Sequence, residues 1–172
     1  MTDSQAPVAA ASLALADLAA TASLAARTAA LARAGDVIAL RGDLGAGKTA
    51  FARAFIRARP GGADVTEVPS PTFTLVQVYD LAPAVWHFDL YRLTRADDVW
   101  ELGFEEALAD AILLIEWPDR LGSLLPAEHL DVELTPGSAP DSRDVRLIGT
   151  GDWVGRLDGL AGRAAISAGT VT

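Results

Sequence analysis

Residues 42–49 constrain the fold of this chain more than any other stretch of its sequence. They read Gly-Asp-Leu-Gly-Ala-Gly-Lys-Thr and match the pattern G-x-x-x-x-G-K-[ST] without a mismatch. The wholly apolar run 37–40 precedes them and predicts a buried parallel strand, and residues 48–59 predict a helix that ends before Pro60. A strand, a glycine-rich turn and a helix in this order are the context in which the pattern forms a phosphate-binding loop.

The chemistry of such a loop depends on its backbone and on two side chains. Glycine permits backbone dihedrals that bring N–H groups against phosphate oxygens, and the positive end of the following helix faces the same anion. The Lys48 ammonium is expected to reach the β- and γ-phosphates, and the Thr49 hydroxyl is expected to bind Mg²⁺. The residues expected to contact the nucleotide are Asp43, Leu44, Gly45, Ala46, Gly47, Lys48 and Thr49.

Lysine usage indicates which nucleotide the loop binds. The chain has 14 basic residues, and Lys48 is the only lysine among them. In a chain that otherwise uses arginine, we expect this lysine where a guanidinium cannot replace a compact ammonium. Guanine-specific proteins with this loop read the base with an N-K-x-D element, which requires a second lysine. The sequence therefore favours ATP over GTP.

A nucleotide site of this kind also needs an acid near the metal, and two strand ends offer one. An apolar run ends in Glu116, which is the usual layout of the metal-binding acid, so we expect Thr49 and Glu116 to hold Mg²⁺ together. A second strand-like segment ends in Asp89, which is the other candidate. We interpret His87 as a structural or supporting residue, and Trp117 as the tryptophan that could contact a nucleotide or a partner.

The order of apolar runs and helices predicts an α/β fold, a P-loop NTPase-like three-layer architecture with a mixed central sheet. Residues 1–10 are expected to form a flexible tail, and residues 11–172 a single ATPase domain. An Ala- and Leu-rich stretch, 13–33, predicts a helix that ends near Gly35. The other expected elements are strands at 74–80, 85–90, 129–134 and 144–148, short helices from a cap at Thr94 to about Asp110, and a last helix within 152–165.

Composition excludes several classes of function. With 23 acidic residues against 14 basic ones the net charge is −9, so strong nucleic-acid binding by this chain alone is not expected. Arg53 and Arg57 share a helix face, which we interpret as solvated rather than as an RNA contact. The absence of cysteine excludes disulfides and Cys-ligated zinc. Since neither a basic leader nor a long apolar run occurs, we expect no membrane segment and a cytoplasmic location.

Three further elements follow the loop in a distinctive order. Residues 70–76 read Ser-Pro-Thr-Phe-Thr-Leu-Val, residues 87–93 read His-Phe-Asp-Leu-Tyr-Arg-Leu, and residues 116–118 read Glu-Trp-Pro. Together with the loop, they resemble the TsaE family, the small bacterial ATPases of tRNA threonylcarbamoyladenosine biosynthesis. The resemblance covers about residues 13–134, and the region after about Pro136 carries no usable family motif.

The resemblance implies a function with named partners. Members of the family act with the proteins TsaB and TsaD, which transfer a threonylcarbamoyl group to adenosine 37 of ANN-decoding tRNAs. The cofactors implied are ATP and Mg²⁺. tRNA is then expected to matter only through the partner proteins, which agrees with the acidic composition of the chain.

The resemblance also assigns site residues by their position in the motifs. Asp89 is expected to support the metal or the attacking water, and Ser70 and Thr72 match a loop that responds to the nucleotide. Asp17 and Thr21 fall where the N-terminal segment of the family approaches the nucleotide. The expected catalytic residues are Lys48, Thr72, Asp89 and Glu116.

Two other functions fit the phosphate-binding loop. A small-molecule kinase would clamp the transferred phosphate with arginines, for which Arg92, Arg95 and Arg120 are available. A nucleotide-dependent interaction module would bind the nucleotide without meaningful turnover. The ATPase rate with and without the partner complex, and a search for a phosphorylated small-molecule product, separate the three possibilities.

Overall fold

One sheet of eight strands runs through the described part of the molecule. A computed structural model of the chain describes residues 7–161 and, as backbone alone, residues 166–169. The strands are β1 Val8–Leu15, β2 Val37–Arg41, β3 Val76–Tyr79, β4 Val85–Asp89, β5 Ile112–Glu116, β6 Leu130–Pro136, β7 Arg143–Thr150 and β8 Ile166–Gly169. The helices are α1 Leu18–Leu31, α2 Lys48–Ala58, α3 Phe104–Asp110 and α4 Trp153–Ala161, with 3₁₀ segments at Gly62–Asp64, Ala96–Leu102 and Pro118–Leu124. No helix in these described ranges combines the length and the apolar character that crossing a bilayer requires.

The sheet is mixed, with the strand order β3-β4-β5-β2-β6-β7-β1-β8. Strands β4, β5, β2 and β6 are parallel to one another, and the remaining strands pair antiparallel on either side. Helices α1, α2 and α4 pack on one face, while α3 and two 3₁₀ segments pack on the other face over β4, β5 and β2. This arrangement confirms the predicted α/β fold with a mixed central sheet.

Strand alternation sends the two strand-end acids to the same face of the sheet. Along β5, Leu114 packs in the core beneath α1 and α2, whereas Ile115 packs in the core beneath α3. Glu116 falls on the same face as Leu114, and Asp89 is its direct neighbour in the parallel register of β4 and β5. Both carboxylates therefore emerge beside the turn from β2 to α2, at the carboxyl ends of the parallel strands.

The predicted tail at residues 1–10 was wrong for its last part, because residues 8–10 begin strand β1. This strand pairs antiparallel with β7 over its whole length, from Val8 opposite Thr150 to Leu15 opposite Arg143. Its backbone hydrogen bonds are made with a segment more than 120 residues away in the chain, so no local sequence pattern predicts them. Residues 1–6 lie outside the described residues.

The predicted helix 13–33 was also wrong at both ends, since α1 occupies only Leu18–Leu31. Asp17 caps its first turn, where the side chain accepts a hydrogen bond of 2.8 Å from the N–H of Ala20. The helix ends before Gly35, which adopts φ 87° in the turn that leads into β2. Strand pairing of β1 and the Asp17 cap together outweigh the helix propensity of the flanking alanines.

The other predicted elements were confirmed with small shifts of their ends. Strands β3 and β4, the hairpin of β6 and β7, and α3 occur where expected. The prediction that Thr94 caps a helix was wrong. The 3₁₀ segment begins at Ala96 with Arg95 before it, and it has no side-chain cap among the described residues. The last helix, α4, ends at Ala161, and residues 162–165 of that prediction lie outside the described residues.

Candidate nucleotide-binding site

The turn between β2 and α2 adopts a conformation that depends on its glycines. Gly42 has φ 144° and Gly47 has φ 106°, values that side-chain-bearing residues rarely adopt. A Cβ atom at Gly42 would also lie 2.5 Å from the carbonyl oxygen of Leu134. Helix α2 begins at Lys48 without a side-chain cap from the described part of the chain. Its first N–H groups are therefore available to an anion bound in the turn.

Lys48 folds back onto its own loop. Its Nζ atom donates hydrogen bonds to the carbonyl oxygens of Gly42 at 2.5 Å and Asp43 at 2.8 Å, and lies 4.2 Å from the centroid of the Trp117 ring. Burial lowers the pKa of Lys48 below its ordinary 10.5, although the charges of Glu116 and Asp89 act to raise it. The ammonium is thus partly desolvated, and a phosphate oxygen would be a stronger acceptor than either neutral carbonyl.

The Glu116 carboxylate links the start of α2 to the middle of the sheet. Thr49 Oγ1 donates a hydrogen bond of 2.9 Å to Glu116 Oε1, and His87 Nε2 lies 2.9 Å from the same oxygen. Glu116 is 3% exposed, and His87 is fully buried. The hydroxyl and the carboxylate that the sequence pairs as metal ligands are therefore in direct contact.

The Asp89 carboxylate, one strand away, is held by a different set of donors. Ser70 Oγ and Thr72 Oγ1 donate to Asp89 Oδ2 at 2.9 Å and 3.0 Å, and their two oxygens lie 2.8 Å apart. The backbone N–H of Tyr91 donates to the other oxygen, Oδ1, at 3.1 Å. The loop that carries Ser70 and Thr72 is in this way fastened to the acid at the end of β4.

These groups surround one open cleft with a volume of about 360 Å³. Its lining residues are Leu18, Leu44, Gly45, Gly47, Lys48, Thr49, Ala50, Ser70, Thr72, Asp89, Tyr91, Glu116, Trp117 and Arg143. The described part of the chain contains no group of three or more His, Cys, Asp or Glu side chains that could hold a metal by themselves. One hydroxyl and one carboxylate fit Mg²⁺, because this ion keeps several waters and takes further ligands from substrate phosphates.

The two N-terminal candidates lie at the edge of this arrangement. Asp17 is occupied as the cap of α1, and Thr21 is 3% exposed and directs its hydroxyl to the Asp17 carbonyl oxygen at 3.4 Å. Leu18, between them, lines the cleft, whereas Thr21 lines a neighbouring hollow between α1 and α2. The side chain that α1 contributes to the cleft wall is therefore apolar.

Three arginines contact the backbone around the site in a way that the sequence did not predict. Arg143, at the start of β7, donates from Nε to the Ala46 carbonyl oxygen at 2.7 Å and from Nη2 to that of Gly45 at 3.4 Å. Arg53 and Arg57 donate to backbone carbonyls of the segment just before Ser70, at 3.3 Å and 2.9 Å. The face of α2 expected to be solvated is exposed at Arg57 and partly exposed at Arg53, and both side chains also tether that loop. Their spacing of four residues on α2 was the only sequence signal of a shared role.

Comparison with known proteins identifies the family. Residues 15–145 match the family model described as "Threonylcarbamoyl adenosine biosynthesis protein TsaE", and this range contains the loop and both strand-end acids. The chain belongs to the TsaE family. The TsaE protein of Bacillus subtilis is 36% identical over 135 residues, which is 77% of this chain and 81% of that protein.

Two further relatives define how far the similarity extends. The Rickettsia felis protein named "tRNA threonylcarbamoyladenosine biosynthesis protein TsaE" is 44% identical over 100 residues, 58% of this chain. The match spans only 57% of that relative's length. Among solved structures, Bacillus subtilis YdiB superposes with a TM-score of 0.70 at 28% identity, covering 91% of this chain and 97% of that one. The fold of this TsaE chain is therefore shared over nearly its whole length.

Proposed function

We propose that this chain is a Mg²⁺-dependent ATPase that serves threonylcarbamoylation of adenosine 37 in ANN-decoding tRNAs, with TsaB and TsaD as its partners. The proposal on ATP rests above all on one observation: Lys48, Thr49 and Glu116 meet at the mouth of a glycine loop whose helix has no side-chain cap in the described chain. The tRNA role rests on membership of the TsaE family.

The loop supplies the recognition of phosphate. The N–H groups at the start of α2 would face the bound anion, and Lys48 would exchange its contacts with Gly42 and Asp43 for contacts with phosphate oxygens. Arg143, at the wall of the cleft, supports this exchange because it binds the carbonyl oxygens of Gly45 and Ala46 and so fixes the backbone of the loop.

Thr49 and Glu116 are the residues that would hold Mg²⁺. When bound, the ion neutralises charge that develops on the transferred phosphoryl group. Thr49 contributes a neutral hydroxyl oxygen and Glu116 one negative charge, and their contact of 2.9 Å keeps both at the same edge of the cleft. Glu116 is nearly buried, so its orientation is fixed by protein contacts rather than by solvent.

Asp89 is the residue that would orient the attacking water. Hydroxyl donors from Ser70 and Thr72 occupy Oδ2, and a backbone N–H occupies Oδ1, so the carboxylate is held rigidly at the cleft wall. Because Thr72 shares this oxygen, any shift of the 70–72 loop changes the hydrogen bonding of the acid. This coupling is how a partner that contacts the loop would alter the rate of hydrolysis.

A kinase function has less support from the site. Arg92, Arg95 and Arg120, the candidate phosphate clamps, are absent from the lining of the cleft, and the Arg92 guanidinium stacks on the Phe73 ring at 4.4 Å. Arg143 lines the cleft, but it donates to four backbone carbonyls. A chain of net charge −9 also suits a protein that reaches tRNA through partners, in the cytoplasm where tRNA is modified.

The proposal is tested by measuring phosphate release from ATP with the chain alone and with purified TsaB and TsaD. We expect slow release alone, stimulation by the pair, and loss of both in Thr49→Val. Thr94→Val is the matched control, since Thr94 is exposed and does not line the cleft. A phosphorylated small molecule formed in place of free phosphate would support the kinase instead. Tight nucleotide binding with no turnover under any condition would support the interaction module.

A further inference from the structure

His87 is a buried residue whose chemistry the site has not yet used. It lies in the middle of β4 with no exposed surface, on the sheet face that carries Asp89 and Glu116. Its register partner on β5 is Leu114, so Glu116 is its diagonal neighbour two residues further along that strand. This diagonal places the imidazole Nε2 atom 2.9 Å from Glu116 Oε1.

The surroundings of the ring define its proton position. Glu116 Oε1 already accepts the Thr49 hydroxyl, and an ionised carboxylate can only accept, so the His87 Nε2 atom must be a donor. The other ring nitrogen, Nδ1, is buried and has no hydrogen-bond partner among the described residues. A proton on Nδ1 would be left unpaired in the core, so the neutral Nε2–H tautomer fits this environment.

Packing alone does not account for a histidine at this position. Val85, two residues earlier on the same face of β4, is fully buried in the core beneath α2, and an apolar side chain at position 87 would need no hydrogen bond. The imidazole instead leaves one nitrogen unsatisfied, which costs free energy in a buried site. The hydrogen bond that the imidazole makes within the described chain goes to Glu116 at the cleft. The contact with this acid is therefore what the histidine provides in return for the free-energy cost of its unsatisfied nitrogen.

We propose that His87 is the positioning residue for Glu116, holding one carboxylate oxygen from β4 so that the acid keeps its orientation when the Thr49 hydroxyl turns toward a ligand. The proposal deepens, and rests on, the ATPase function proposed above. Thr49 and His87 are the side chains that donate to this carboxylate within the described chain, both to Oε1. His87 is the one of the two that remains in place whatever the loop binds, because it is fixed in the sheet.

Three variants test the positioning role through kinetics. His87→Leu removes the donor at similar size, His87→Gln restores a side-chain N–H, and Val85→Ala loosens the same strand without touching Glu116. We expect His87→Leu to lower kcat about ten-fold or more with the KM for ATP changed less than about three-fold, and to raise the Mg²⁺ concentration at half-maximal rate. His87→Gln should recover most of kcat, and Val85→Ala should lose stability but keep kcat within about two-fold. Parental kcat in His87→Leu, or an equal loss in Val85→Ala, would overturn the proposal.

A second measurement uses the unaltered protein and needs no catalysis. The chain has two histidines, so long-range ¹⁵N–¹H spectra of the uniformly labelled protein give two ring patterns, which His129→Gln assigns. We expect His87 to show a proton on Nε2, where Glu116 accepts it, and a ring with its proton on Nδ1 alone would overturn the proposal. If the chain hydrolysed no ATP, the proposed ATPase function would be refuted. The tautomer of His87 and the effect of His87→Leu on Mg²⁺-dependent ADP binding would still test whether His87 positions Glu116.

Discussion

Replacing Lys48 with alanine should weaken nucleotide binding far more than it weakens the fold. In the free protein, the ammonium donates two hydrogen bonds to neutral carbonyl oxygens, those of Gly42 and Asp43. In the complex, we expect phosphate oxygens to replace both. A hydrogen bond that involves a charged group contributes about 1.5–3 kcal/mol. The ammonium–carbonyl bonds belong at the low end of this range and ammonium–phosphate bonds, which join opposite charges, at the high end, so the exchange gains about 1–1.5 kcal/mol per bond. Two bonds give about 2–3 kcal/mol, or about a 30- to 150-fold rise in Kd for the variant.

The cost to stability should be smaller for two reasons. The carbonyl oxygens released by Lys48→Ala lie in a loop beside the open cleft, where water can replace the lost donor. The substitution also removes an ammonium whose pKa burial has lowered, which is a sign that its charged form is poorly solvated in the fold. We expect the free energy of unfolding to fall by less than about 1.5 kcal/mol.

Titration calorimetry with Mg·ADP and urea denaturation measure the two quantities on the same samples. Arg27→Ala is the matched control, because it removes one positive charge from the exposed side of α1 without touching the cleft. A folded Lys48→Ala protein with a Kd within about three-fold of the parent would refute the role of Lys48 in binding phosphate. An equal loss of affinity in Arg27→Ala would mean that net charge, and not the loop contact, determines affinity.

Three further predictions follow from the site and its surroundings. Adenine nucleotides should bind at least about ten-fold more tightly than guanine nucleotides, because the chain has no second lysine for an N-K-x-D element. Equal affinities in a competition titration would contradict this prediction. Glu116→Gln should reduce Mg²⁺-dependent hydrolysis more than nucleotide binding, and normal hydrolysis in Glu116→Gln but not in Asp89→Asn would mean that the two acids exchange roles. His129 should stabilise the fold at low pH: burial opposes its protonation, but the hydrogen bond to Asp131 and the charge of that residue raise the pKa of His129 above 6.5. Its contribution to stability is therefore fully present below pH 6.5 and is lost as the pH rises through the raised pKa. In urea denaturation, the difference in unfolding free energy between the parent and His129→Gln should shrink over that pH range. A difference that grows with pH would refute this prediction.

Much of the site could be predicted because its residues stand in short, contiguous patterns. The loop 42–49 carries its own turn, cation and hydroxyl, and its neighbours in the chain identify the strand and the helix. Glu116 ends an apolar strand and Asp89 ends a second strand-like segment, and the carboxyl ends of parallel strands meet at one edge of a sheet. These two regularities predict an α/β fold with two acids beside the loop, and the structure has this arrangement.

The remainder depends on contacts between distant parts of the chain. β1 was predicted as tail and helix because alanine-rich sequence favours helix locally, and only its pairing with β7 makes it a strand. Arg143 stands 96 residues after Gly47 in a segment without a motif, and nothing near it in sequence indicates a contact with the loop. The His87–Glu116 contact requires the register of β4 against β5, which one-residue slippage would destroy.

We propose that ATP turnover at the site of Lys48 supports threonylcarbamoylation of tRNA. Mass spectrometry of tRNA nucleosides tests this in a bacterial strain that lacks its own TsaE gene and has no redundant enzyme. Expression of this chain should restore threonylcarbamoyladenosine, and equal expression of Lys48→Ala should not, while Arg27→Ala should restore it like the parent. Restoration by Lys48→Ala, or no restoration by the stably expressed parent chain, would contradict the claim.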